Sequence, residues 1–218
     1  MKPHRAVNFV VRTCDGKPKM RLCKQRGVSL VVSLLMLIAV MLLGLSATQI
    51  ALQSEKASRN DRDRQIAFQA AEAGLLDAEM DIENSPDPAR SRSIIFSREI
   101  AYAFTDGCGN GDANPFLGLC AHVADGAAPA WLTVDLLNDS PSAASVPFGK
   151  FTGQTFQVGE GSLPAKLPRY IIELMPYNGP GESAELSSRS YFYRITGIGF
   201  GMRDTTLVVL QTFYRKKD

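Results

Sequence analysis

Residues Val28–Gln53 read VSLVVSLLMLIAVMLLGLSATQIALQ, contain no Asp, Glu, Lys or Arg, and decide the fold. A membrane-spanning helix needs about 20 consecutive, mainly apolar residues, so this run is long enough to cross a bilayer. Twelve of the residues from Val28 to Leu45 are Leu, Ile or Val, and each favours insertion by about 0.3–0.6 kcal/mol. The run therefore predicts a transmembrane helix, with bounds at residues 28–50.

The charges on the two sides of this run differ strongly. The 27 residues before it carry eight Lys and Arg residues and one acidic residue, whereas the chain after Gly27 holds 16 basic and 21 acidic residues and a formal net charge of −5. Because basic flanks stay in the cytoplasm, residues 1–27 are predicted to be cytoplasmic and residues 51–218 to form a domain on the other side of the membrane. The basic character belongs to the leader, so it gives no reason to expect nucleic-acid binding.

Two other interpretations of the apolar run remain open. A secretory signal has a shorter apolar core followed by small residues at its cleavage site, for which Gly44-Leu45-Ser46 is a weak match. An uncleaved signal anchor would keep the leader and need no processing at all.

The segment Thr48–Asn84 is predicted to continue the same helix, because it contains no Pro, one Gly and many strong helix formers. Apolar residues recur in it at spacings of three and four, which places them on one helix face. This predicted packing face consists of Phe68, Ala71, Leu75, Ala78 and Ile82. We expect Glu72, Glu79, Glu83 and neighbouring Asp residues on the opposite face.

The C-terminal part changes character and predicts β-strands. Arg169–Leu174, Ser188–Gly197 and Thr205–Tyr214 are rich in β-branched and aromatic residues. Gly199–Asp204 supplies a turn between the last two, which predicts an antiparallel hairpin. Leu207–Leu210 is apolar on both faces and therefore favours an inner strand pressed on the helix. The predicted fold class is α+β.

The central segment Ser85–Lys166 is rich in turn residues and is predicted to be mainly loops, with a short helix around Arg92–Phe104. Cys108 and Cys120 lie beyond the predicted membrane segment, where disulfides persist, so we expect them to be bridged. Metal binding by this pair is the weaker alternative, because the spacing is not that of a zinc site.

Four oxygen-bearing side chains alternate with glycines in the same segment. Asp106, Asn110, Asp112 and Asn114 have a spacing that could converge on Ca²⁺. The other interpretation is a turn-rich loop, in which Asn, Asp and Gly are used for their backbone tolerance. The second is favoured, so no metal or cofactor is predicted.

The sequence offers little for catalysis. It contains two histidines, His4 and His122, and the first belongs to the leader. A nucleophilic triad would have to use His122, and neither a GxSxG elbow nor a phosphate-binding loop is present. A structural, non-enzymatic role is therefore predicted.

Three segments resemble the type IV pilin and pseudopilin superfamily, and within it the PilX-type minor pilins. They are QRGVSLVVSLLMLIAVMLLG (Gln25–Gly44), RDRQIAFQAAEAGLLDAE (Arg62–Glu79) and YFYRITGIGFGMRDTTLVVLQTFYRKK (Tyr191–Lys217). The resemblance implies the type IV pilin fold, in which one long N-terminal helix packs on a C-terminal antiparallel sheet. It also implies that a prepilin peptidase cleaves the leader after Gly27 and methylates the new terminus at Val28.

One position departs from the pattern of the major pilins, which carry Glu as the fifth residue of the mature chain. Here that position is Val32. In the superfamily the carboxylate is thought to neutralise the buried terminal amine of the next subunit toward the tip, and a buried unpaired charge costs several kcal/mol. A subunit with no neighbour above it needs no such carboxylate, so Val32 indicates a place at or near the pilus tip.

The resemblance implies a minor pilin that primes type IV pilus assembly, joins the tip complex, and supports adhesion and twitching motility. Its expected partners are other minor pilins, the major pilin, a tip adhesin, prepilin peptidase and the inner-membrane assembly platform. The expected location is the inner membrane, crossed once, and then the pilus tip at the cell surface. The alternatives are a GspK-like minor pseudopilin of type II secretion and a single-pass, membrane-anchored periplasmic binding module.

Overall fold

The computed structural model describes residues 28–96, 101–124, 126–177 and 190–216. The chain divides in sequence between Leu52 and Gln53 into two compact units. Helix α1, Val28–Glu83, is 56 residues long and belongs to both. Its most apolar window has a mean hydropathy of 2.9, and it is the one helix in the described part of the chain that is long and apolar enough to cross a membrane.

The two halves of α1 differ in burial. Every side chain from Val28 to Arg62 is exposed, and burial begins at Asp63. A helix that is apolar on all sides is stable in a membrane or among other helices, whereas a helix with one buried stripe packs on a domain. The N-terminal half of the helix is apolar and contacts nothing else in the described chain. The C-terminal half is part of the folded domain.

The folded domain contains a five-stranded sheet with strand order β1-β3-β4-β5, in which β2 also pairs with β3. The strands are β1 Leu119–Cys120, β2 Val146–Pro147, β3 Arg169–Tyr177, β4 Ser190–Phe200 and β5 Leu207–Tyr214. Strands β2, β3, β4 and β5 pair in antiparallel fashion, but β1 runs parallel to β3. The α+β class is confirmed, and the sheet is mixed because a two-residue strand from the central loops joins its edge.

The predicted C-terminal hairpin is confirmed, with Phe200 opposite Leu207 at its turn. The prediction that Leu207–Leu210 forms an inner strand is wrong, because β5 is the last strand in the order. Leu207 and Val209 point away from the helix and are each 42% exposed. A strand with apolar residues on both faces is buried on both sides only where other elements cover both faces. Within the described chain, one face of β5 is not covered.

The two faces of β3 contribute to two separate cores. Tyr170 and Ile172 pack with Ile82 on the helix side, and Ile171 packs on the other side with the Cys108–Cys120 region. This division follows from the alternation of side chains along a strand. The short helix α2, Ala130–Thr133, lies in the second core.

The short helix predicted around Arg92–Phe104 is present as two 3₁₀ turns. They are Ser93–Phe96 and Ala101–Ala103, and residues 97–100 between them lie outside the described part of the chain.

Candidate functional site

The exposed N-terminal half of α1 is the first candidate surface for assembly. Gly27 lies outside the described residues, so the proposed cleavage junction is not in view. The helix begins at Val28, and both Val28 and Val32 have exposed side chains. Nothing in the described chain covers this apolar segment, and a helix that is apolar on all sides is stable in a membrane or among other helices.

The C-terminal half of α1 approaches β4 through small residues on both elements. A Cβ placed at Gly199 would collide with the backbone of Ala67 and Ala71, so these elements are in backbone contact. A Cβ at Gly197 would lie 3.1 Å from a methyl carbon of Leu75, which is a milder conflict. Close approach of this kind needs Gly on the strand and Ala on the helix.

The buried stripe of α1 therefore differs from the predicted one. Ala71, Ala78 and Ile82 are fully buried and Leu75 is half-buried, but Phe68 is 44% exposed, so the predicted face is wrong at this position. The glycines of β4 draw the sheet toward the small residues, and Phe68 turns to the side. The buried residues of the stripe are Asp63, Ala67, Ala70, Ala71, Gly74, Asp77, Ala78, Asp81 and Ile82.

Three aspartates of α1 face the domain, contrary to the expectation that its Asp residues lie on the opposite face. Asp63 holds the turn between β4 and β5. Its carboxylate accepts hydrogen bonds from Met202 N at 2.6 Å, Arg203 Nε at 2.9 Å and Thr206 Oγ1 at 2.7 Å. Burial acts to raise the pKa of Asp63, but these hydrogen bonds outweigh it and leave the pKa below its ordinary value.

Asp77 binds the central loops, and its hydrogen-bond donors among the described residues are neutral groups. It accepts hydrogen bonds from Gly149 N at 2.8 Å and from the hydroxyl of Thr152. Burial raises the pKa of Asp77, these two bonds oppose the rise, and the nearby Asp81 adds to it.

Asp81 joins the helix to both the sheet and the central loops. It forms a buried ion pair with Arg92, with 2.6 Å between Oδ2 and Nη2, and accepts a hydrogen bond from Tyr170 Oη at 2.9 Å. The same guanidinium donates to Leu117 O at 2.7 Å and lies 3.6 Å from the ring centre of Phe151. Burial and the neighbouring carboxylate raise the pKa of Tyr170 well above its ordinary value, so the phenol stays protonated.

The sequence contains a signal for this stripe that apolar periodicity overlooks. Asp77 and Asp81 are four residues apart, and Asp63 lies 14 residues before Asp77, which is close to four full helical turns. All three therefore share a face with the alanines. Small and acidic residues add little to an apolar periodicity, so the apolar pattern alone does not identify this face. Together they form the face of the helix that packs on the domain.

The central loops are tied by the Cys108–Cys120 disulfide, which confirms the predicted bridge. In the described residues no cluster of three or more His, Cys, Asp or Glu side chains is placed to hold a metal ion. Two of the four side chains of the candidate calcium loop have other partners among the described residues. Asp112 pairs with Lys150 at 3.2 Å, and Asn114 binds backbone atoms of Asn110 and Phe116. Asp106 is exposed, and this geometry is that of a capped turn.

The outer face of β5 is the second exposed apolar surface. Leu207, Val209 and Phe213 alternate along it, and Phe213 is 63% exposed. Its ring lies 5.7 Å from that of Phe192 on β4. Exposed apolar patches at a sheet edge are typical of interaction surfaces.

Two protein-family models match the chain. One, described as PilX N-terminal, matches residues 26–76, and the other, described as Type IV pilus assembly protein PilX C-term, matches residues 116–216. Together they take in more than half of the chain. The first spans the apolar run and the start of the docked helix, and the second spans the sheet. No curated protein and no solved structure matches the chain significantly.

Proposed function

The chain belongs to the PilX family of type IV pilus assembly proteins, and from this premise we propose that it is a minor pilin that primes pilus assembly and forms part of the tip complex. The observation that carries the proposal is the construction of α1. One continuous helix is apolar and exposed over its first half and is bound by three buried aspartates and a row of small residues over its second. This suits a subunit that is anchored first in a membrane and later among like helices.

Processing gives the subunit its mature terminus. Prepilin peptidase cuts after Gly27 on the cytoplasmic side and methylates the amine of Val28. The apolar helix remains on the mature chain and holds it in the inner membrane as a single-pass protein, with residues 51–218 in the periplasm. The same helix then leaves the bilayer and docks against other pilins.

The absence of Glu at Val32 supports a place at the tip. A subunit within the shaft would leave its neighbour's terminal amine buried without a counter-ion, which costs several kcal/mol. A subunit at the end of the filament has no such neighbour. From that position it supports adhesion and twitching motility through the other components of the tip.

The partners are other minor pilins, the major pilin, a tip adhesin and the inner-membrane assembly platform. The Cys108–Cys120 loops and the outer face of β5 are the surfaces offered to them, because both lie away from the face that binds α1. The role is structural, and it requires no catalytic residue or cofactor.

The intact mass of the protein extracted from membranes tests this function. In cells with active prepilin peptidase, the wild-type chain should lack Met1–Gly27, with or without one added methyl group. Gly27→Ala should keep the leader. Gly44→Ala, which changes a glycine with open space around it in the same helix, should be processed like the wild type. An uncut N-terminus in the wild type would contradict the proposal and leave an ordinary anchored module.

A second measurement separates a pilus from a secretion pseudopilus. Deleting the gene should reduce the number of surface pili and leave type II secretion unchanged. Loss of secretion with normal pili would instead favour the pseudopilin.

A further inference from the structure

A basic cavity of about 760 Å³ lies where α1 passes the turn between β4 and β5. Four cationic side chains line it, against a single carboxylate, Asp63. The four are Lys56, Arg59, Arg62 and Arg203. All of them belong to the unit Gln53–Asp218.

The one carboxylate does not neutralise this cavity. Asp63 is buried and its oxygens are occupied by Arg203, Thr206 and Met202 N. It therefore balances Arg203 and holds that guanidinium in place, since Arg203 also reaches the side-chain oxygen of Asn60 at 3.1 Å. The charges of the remaining three cations are in excess of those of the lining acids.

Within the described residues, two of these remaining cations have only weak intramolecular partners. Arg59 pairs with Glu55 at 2.5 Å, but the two side chains are 77% and 57% exposed, so water screens the pair. Arg62 donates to the neutral hydroxyl of Ser162 at 2.6 Å. Both guanidiniums keep donors available for an anion.

The position of the cavity along the chain indicates which anion. The predicted membrane segment ends at residue 50, and Lys56 and Arg59 follow it by six and nine residues on the same helix. At 1.5 Å per residue these positions are about 9 and 14 Å beyond the segment, and the headgroup layer of a bilayer is about 5–8 Å thick on each side. Long Lys and Arg side chains extend back toward a membrane surface, so these two cations reach the outer edge of the headgroup layer when the segment spans the membrane.

We propose that this cavity binds the phosphate of an anionic phospholipid headgroup, held between Lys56 and Arg59, while the protein is anchored in the membrane. Guanidinium groups match phosphate oxygens in geometry, and basic residues next to a membrane are attracted to anionic lipids. The site rests on the proposed membrane anchorage and adds to it a preference for one class of lipid. The lipid is released when the subunit leaves the bilayer for the filament.

Native mass spectrometry of the full-length protein in a neutral detergent tests this site, with phosphatidylglycerol, phosphatidylcholine and inorganic phosphate as separate probes. The wild type should retain phosphatidylglycerol about tenfold better than phosphatidylcholine. Lys56→Gln/Arg59→Gln should lose this preference. Arg64→Gln/Arg90→Gln, which removes the same charge from exposed positions outside the cavity, should keep it.

Three outcomes would overturn the inference. Equal retention of both lipids by the wild type would show no headgroup preference. Equal loss in the two double variants would mean that overall charge, and not this cavity, attracts the lipid. Displacement of the lipid by inorganic phosphate at similar concentration would assign the site to a free anion. None of these outcomes concerns cleavage at Gly27, so the proposed function is tested independently.

Discussion

Asp63 and Asp77 are both buried aspartates of α1, yet their electrostatic environments are opposite. Asp63 meets the guanidinium of Arg203 at 2.9 Å, and the hydrogen bonds around it lower its pKa despite burial. The hydrogen-bond donors to Asp77 are a backbone amide and a hydroxyl, which are neutral, so burial prevails and raises its pKa. The two residues should therefore affect stability with opposite dependence on pH.

Asp77→Asn is expected to change the pH dependence of unfolding. A carboxyl whose pKa is raised in the folded state contributes stability that is complete below its unfolded pKa and is lost as pH rises through the folded value. The wild type should therefore exceed Asp77→Asn in unfolding free energy by more at about pH 4, close to the unfolded pKa of a carboxyl group, than at about pH 7. Denaturant unfolding of the full chain in detergent at the two pH values measures this difference.

Asp63→Asn is the matched control for this measurement. Because the folded pKa of Asp63 is lowered, its contribution is present above the unfolded pKa and is lost as pH falls through the folded value. The loss of unfolding free energy in Asp63→Asn should be complete at neutral pH and should become smaller only toward acid pH. Identical pH profiles for the two variants would contradict the assigned environments.

Gly199→Ala is expected to destabilise the protein by about 3 kcal/mol, because its Cβ would collide with the backbone of Ala67 and Ala71. Backbone cannot move aside as a side chain can. Gly197→Ala meets mainly the flexible end of Leu75 and should cost about 1 kcal/mol. Thermal unfolding compares the two variants, and equal melting temperatures would mean that α1 and β4 are not in backbone contact.

At the scale of elements, the sequence predicts the long helix and the hairpin but not the way they fit together. The apolar run and the strand pattern are local signals, and both are present in the structure as α1 and the β4–β5 pair. The rotation of α1 on the sheet is set by Gly197 and Gly199, more than 110 residues away in sequence. Apolar periodicity starts the predicted stripe at Phe68, whereas contact with these glycines selects Ala67 and its neighbours.

The position of β5 shows a second limit of local sequence. An apolar strand can be an inner strand or an edge strand with an exposed interaction surface, and Leu207–Leu210 fits both. The order of the strands is decided by β1 and β2, which both pair with β3. Each of these two strands has two residues, which is too short to be recognised in the sequence. The sheet edge is therefore visible only in the folded domain.

The disulfide is expected to stabilise the central loops as an element. Its two cysteines are 12 residues apart, so Cys108→Ser/Cys120→Ser should lower the unfolding free energy by about 3 kcal/mol through loop entropy. Denaturant unfolding with and without a reductant measures this. Reductant should bring the wild type to the level of the double variant and leave the variant unchanged. If the double variant is less stable but reductant leaves the wild type unchanged, the serine side chains, and not the missing disulfide, would be the cause of the loss.

At the scale of the whole molecule, α1 combines an exposed apolar half with a half that is bound to the domain. The three buried aspartates and the glycine contacts tie its C-terminal half to the domain. In the proposed function, the first residues of this helix decide whether another subunit can follow. Val32 is the position at which the proposed tip location can be tested directly.

Val32→Glu is expected to move the subunit from the end of the filament into its shaft. The new carboxylate would neutralise the terminal amine of a neighbouring subunit above it, which removes a penalty of several kcal/mol. Immunogold labelling of an epitope-tagged protein should find the wild type at one end of each pilus and Val32→Glu at sites along the length. Val31→Glu places the same charge about 100° around the helix, where it cannot meet that amine, and should not spread along the shaft. Labelling of the wild type along the whole shaft would contradict the tip location, because a subunit that lacks the carboxylate would then be accepted where its neighbour's amine is buried.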